Sequence, residues 1–97
     1  MLHLVNRSPY VSTSLDSCVK FAKKGSPILL IEDAVYGAMA GTALEKKMES
    51  IMKDFTVYVL KEDLLARGVA NVIDGIKEVD YTGFVELVEE HKPTTWT

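Results

Sequence analysis

Ninety-seven residues with 47% hydrophobic and 26% charged content describe one folded domain, residues 1–97, too short for two and too apolar for disorder. A net charge of −3 removes the basic footprint by which so small a chain would grip tRNA or DNA directly. No apolar run approaches the ~20 residues of a membrane span.

The first segment, Met1 to Tyr10, lacks the basic start and long apolar core of a secretory leader. Cys18 is the only cysteine, so no internal disulfide can form, and the expected setting is a reducing cytoplasm. Met1 to Val5 is apolar apart from His3 and predicts a first strand. Pro9 then enforces a loop over residues 6–10. Thr13 and Asp16 have capping-box spacing, and Leu15, Cys18 or Val19, and Ala22 recur at helical intervals up to Gly25.

Ile28 to Ile31 is an unbroken apolar run, the pattern of a strand covered on both faces in a parallel sheet. Asp33 is placed to cap the next helix, which should break or kink near Gly37 and Gly41 before continuing to Asp54. In its later half Leu44, Met48, Ile51 and Met52 share one face. Phe55 to Leu60 is rich in β-branched and aromatic residues and predicts a third strand. Lys61 to Arg67 should be a short helix with Gly68 at its C′ position.

Residues 69–75 read as irregular, and Ile76 to Val79 as a short fourth strand. Asp80 then caps a last helix carrying Phe84, Val85, Leu87 and Val88, leaving residues 94–97 as a tail. Fourfold alternation of strand and helix predicts a layered α/β sandwich, with a mostly parallel sheet of four to five strands and helices on both faces. Its functional loops would follow the strands at one edge.

Cys18 is the one strong nucleophile. The helix dipole and Lys20, Lys23 and Lys24 would favour its thiolate, whereas Asp16 and a core position would oppose it. A thiolate is what sulfur transfer requires, because it attacks or carries a persulfide. His3 and His91, with one cysteine, make no metal-ligand spacing. Neither a metal site nor a cofactor site is expected.

Asp33, at a strand-to-helix junction, fits capping or catalysis. Glu62, Asp63 and Arg67 fit helix-end charges, and Arg67 could also bind a partner's carboxylate. Gly37 and Gly41 fit close packing better than a phosphate cradle. Trp96 in a polar tail needs a receiving surface, in this domain or on a neighbouring chain.

Four ordered blocks resemble the DsrH/TusB family almost end to end. They are Met1 to Tyr10, Leu29 to Ala38, Tyr58 to Gly68 and Val79 to Val85, and the terminal Trp96 also fits. The resemblance implies a DsrE/F/H-like fold within a heterohexamer that relays sulfur as cysteine persulfide. It further implies DsrE/TusD-like and DsrF/TusC-like partner subunits and a downstream DsrC/TusE-like carrier. The sulfur would go either toward tRNA wobble 2-thiouridine or into sulfur oxidation. In this family the main accepting cysteine belongs to the DsrE/TusD subunit. The segment Ser14 to Ala22 matches the DsrH pattern at Cys18, which leans toward the DsrH branch.

Three readings stay open at this point. The chain is a relay subunit with Cys18 as carrier, a structural subunit of the same complex with Cys18 inert, or a small-ligand module using the loops near Asp33.

Overall fold

Apolar runs and amphipathic stretches become five strands and four α-helices in a computed structural model describing residues 1–97. In chain order these are β1 (Leu2–Val5), α1 (Ser14–Phe21) and β2 (Pro27–Leu30), followed by a 3-10 helix over Glu32–Ala38. Next come α2 (Glu45–Met52), β3 (Thr56–Leu60), α3 (Lys61–Ala66), β4 (Lys77–Val79), α4 (Tyr81–Glu90) and β5 (Pro93–Trp96). The sheet order is β4-β3-β2-β1-β5 and every pairing is parallel.

The expected tail is therefore a strand. Thr94, Thr95 and Trp96 pair with His3, Leu4 and Val5, a position that suits their β propensity. Predicted strand ends move by a residue or so, Pro27 joining β2 and Ile76 falling outside β4.

Because side chains alternate across strands, the sheet builds two cores. On one face Val5, Ile28, Leu30, Val57 and Val59 pack with Leu15 and Cys18 of α1, Met48 and Ile51 of α2, and Leu64 of α3. On the other face Leu2 and Leu29 meet Leu87 of α4, with Leu4, Ile31, Tyr58, Val79, Phe84 and Val88 partly buried around them. Helices thus cover both faces, unequally.

Two expected caps fail for identifiable reasons, and one expected break takes a form of its own. Thr13 makes no side-chain cap. Ser12 Oγ instead accepts from the Ser14 N–H at 3.1 Å and satisfies one free donor of α1. The segment after β2 breaks near Gly41 as the glycines predict and resumes as α2, which ends at Met52. Ahead of that break it tightens to 3-10 geometry and bridges Met39 to Val72 in antiparallel fashion, then turns at Gly41 with φ +79°. Asp33 lies inside that 3-10 helix and caps nothing, because its carboxylate is taken by Arg67.

Elsewhere the predicted caps hold. Asp80 Oδ1 accepts from the Gly83 N–H at 2.9 Å, and Gly68, at φ +69°, follows α3.

Candidate functional site

Parallel strands deliver their following loops to one edge of the sheet, and there the chain collects its polar side chains. Glu32 leaves β2 with φ +50°, the left-handed region, which costs a non-glycine residue about 1 kcal/mol or more. Its N–H donates to Asp63 Oδ2 at 2.6 Å. Arg67 then bridges the two carboxylates, with Nε 2.9 Å from Asp33 Oδ1 and an Nη 3.5 Å from Asp63 Oδ1.

The hydrogen bond to Asp33, aided by both carboxylate charges, raises the Arg67 pKa further above its ordinary value. The network therefore ties α3 to the 3-10 helix and holds the strained residue between them. Asp33 is mostly exposed, so its pair with Arg67 adds a fraction of a kcal/mol up to about 1.

Beside the network a cleft of about 260 Å³ is lined by Asn6, Arg7, Ser8, Glu32, Asp33 and Thr97, with Val11 as its one apolar wall. Buried Asn6 Oδ1 has no hydrogen-bond partner within the chain. Small-molecule sites are usually larger and floored by apolar side chains. This cleft has neither property, and its Asp33 is already committed to Arg67.

Cys18 stands on α1 as the helical spacing predicts, one turn beyond Leu15. Its side chain is 0% exposed and belongs to the main core. Burial pushes the thiol up to about 11, from an ordinary value near 9.0. The expected help from the helix dipole and lysines is outweighed, because Lys20, Lys23 and Lys24 lie in solvent while the sulfur faces the sheet. At neutral pH the isolated chain holds a thiol there.

His3 is also buried, at 5% exposure, and its Nδ1 accepts from Trp96 Nε1 at 3.1 Å. Burial first, and then the positive α-amino group of Met1, lower its pKa. Because Nδ1 is the acceptor, the ring proton must sit on Nε2. The receiver that Trp96 needs is therefore this same chain. Trp96 also packs against the main core, so the contact fastens β5 to β1. His91 stands at the C-cap of α4, far along the chain from His3.

Structure thus brings together Asp33, Asp63 and Arg67, and separately His3 and Trp96, but gathers neither set around Cys18. Sequence reasoning missed the His3–Trp96 bond and the linking of Glu32 to Asp63. Only the tertiary fold creates those two contacts.

Comparison with known proteins follows the same lines. The family model described as DsrH like protein matches residues 7–94. Protein TusB of Shigella flexneri is 36% identical over 93 residues, covering 94% of each chain. Protein TusB of Escherichia coli O139:H28 is 37% identical over the same length and coverage.

Among solved structures, the ychN protein from E. coli superposes with a TM-score of 0.78 at 19% identity, covering 98% of this chain and 97% of its own. Protein Tm0979 from Thermotoga maritima superposes at 0.64 with 22% identity and 95% coverage of both chains. These two show the fold alone, whereas the family match and the relatives extend nearly end to end. The chain belongs to the DsrH-like family that includes the TusB proteins.

Proposed function

We propose that this chain is a subunit of a sulfur-relay complex that passes persulfide sulfur between protein cysteines, in the direction of tRNA thiolation. Its contribution is to the assembly, and the cysteines that carry sulfur belong to partner chains. Support for the relay comes from family membership and from relatives named TusB. The single observation behind the assembly role is Cys18: the only thiol of the chain is 0% exposed, and that burial pushes its pKa up to about 11. A thiol closed off from solvent, with its thiolate disfavoured, is poorly placed to attack a persulfide or to receive its sulfur.

The partners in this reading are DsrE/TusD-like and DsrF/TusC-like subunits, with a DsrC/TusE-like carrier downstream, all in the cytoplasm. Tyr81 and Val85, exposed on α4 in the isolated chain, suit a protein that meets other subunits.

A second reading makes Cys18 the sulfur carrier of this subunit. Its support is that this chain has no other cysteine and that Cys18 sits on the first helix, where the family resemblance marks one. It requires α1 to lift from the sheet within the complex.

One experiment separates the two. The assembled complex is incubated with a persulfide donor and each subunit's intact mass is read without reductant. The assembly role predicts a gain of about one sulfur, ~32 Da, on a partner and none on this chain. A reductant-labile gain on this chain, absent in Cys18→Ser, would establish the carrier role instead.

A further inference from the structure

Strands run across the sheet as β4-β3-β2-β1, and the chain then adds β5 on the far side of β1. Helices α1, α2 and α3 pack on one face and α4 on the other. The direction of winding therefore reverses between β1 and β5. Open α/β sheets hold their ligands beyond the carboxyl ends of the strands at such a reversal. The polar cleft lies there: Asn6 and Arg7 follow β1, Glu32 stands just after β2, and Thr97 follows β5.

Two costs of folding are concentrated at this cleft. Glu32 holds φ +50°, and Asn6 Oδ1 is shut off from solvent with no partner in the chain. Neither residue belongs to the apolar cores. Strain and an unpaired polar atom, met together at a cleft, mark a place kept for binding. An occupant that carries a donor recovers the second cost once the Asn6 amide turns toward it.

Charge selects the occupant. Arg7 and Glu32 are both exposed, and neither enters an ion pair within the chain. Asp33, the third charged wall, is already answered by Arg67. One free cation and one free anion thus face a cleft of about 260 Å³. A simple anion satisfies only Arg7 and a simple cation only Glu32, whereas a small molecule carrying both charges satisfies the two together. The small volume and polar walls that unfit the cleft for an apolar cofactor suit a short hydrophilic ligand.

We propose that this cleft binds a free α-amino acid with a short side chain, its carboxylate on Arg7, its ammonium on Glu32 and its side chain along Val11. Binding there is independent of the relay role.

The test is titration of the isotopically labelled full chain with glycine, L-alanine, L-serine and L-cysteine, followed by amide NMR. Propionate and ethylamine serve as probes that carry one charge each. At least one of the four amino acids should saturably shift the Asn6 side-chain amide and the main-chain signals of Arg7 and Glu32. Propionate and ethylamine should each bind about tenfold more weakly or worse, and so should that amino acid to Arg7→Gln or to Glu32→Gln. Lys53→Gln, before β3 at the opposite edge of the sheet, should bind it unchanged.

No saturable shift with any of the four would overturn the site, as would shifts that persist in both cleft variants. Affinity for propionate or ethylamine equal to that for the amino acid would overturn the ligand class and leave a plain ion site. Both altered side chains are exposed, and Glu32→Gln keeps the main-chain bond to Asp63, so an unchanged urea midpoint should accompany the loss of binding.

Discussion

Alkaline pH should destabilise this protein through Cys18 alone to a measurable extent. Burial holds the thiol at about 11 in the folded chain, against 9.0 when solvated. The folded value is raised, so the neutral thiol's contribution is complete below about pH 9 and is lost as pH rises through 11. Two units correspond to roughly 3 kcal/mol, a large share of the stability of a domain this size. The assay is urea unfolding at a series of pH values from about 8 to 11, for the unaltered chain and for Cys18→Ala. Tyrosines and lysines titrate in both, so the difference between the two curves isolates the thiol.

That difference should favour the unaltered chain near pH 8 and shrink or reverse by roughly 2–3 kcal/mol toward pH 11. Alkylation gives an independent reading. Near pH 8 the folded chain should react about a hundredfold more slowly than the urea-unfolded one from ionisation alone, before any opening of the core is counted. Parallel pH curves, together with a native thiol that alkylates as fast as the unfolded one, would refute the burial argument and return Cys18 to the candidates for open chemistry.

Other consequences concern the sheet and its caps. His3 has a lowered pKa, so the unfolded chain binds its proton first and stability should fall as pH drops below about 6.5. Fluorescence of Trp96, the only tryptophan, should follow that loss, and a His3→Gln variant should flatten it; equal slopes for both chains would exclude His3 as the cause. Gly37→Ala puts a Cβ 2.7 Å from Pro9 Cγ, so a loss of about 1–3 kcal/mol is expected in chemical denaturation, and an unchanged midpoint would mean that the 6–10 loop yields freely. Asp80→Ala removes the cap of α4 and should cost about 1 kcal/mol, with Asp80→Asn recovering most of it.

Much of this fold is legible locally. Ile28 to Leu30 and Val57 to Val59 declare strands by composition, and Gly68 and Asp80 mark helix ends through backbone geometry and a short side chain. β5 is illegible because Pro93-Thr-Thr-Trp96 has no apolar run and gains its partners only from β1, some ninety residues away in the chain. Asp33 misleads for a similar reason. Its local offer to cap competes with an arginine on another element, and the charge-assisted bond wins.

The candidate site divides in the same way. Helical spacing places Cys18 on the face of α1 shared with Leu15. Whether dipole or desolvation governs its ionisation depends on how completely the sheet covers it, which one sequence does not state.

The margins of the sheet carry a consequence for how the molecule meets others. β4 is three residues long with Lys77 and Glu78 exposed, and β5 opens on Pro93, which has no N–H to offer. Both rims are therefore poor templates for an added strand, so the sheet resists the open-ended stacking that exposed β-edges invite. Association must instead be read out through side chains on the helical faces. There, single substitutions can retune which neighbour is accepted without touching the main-chain ladder.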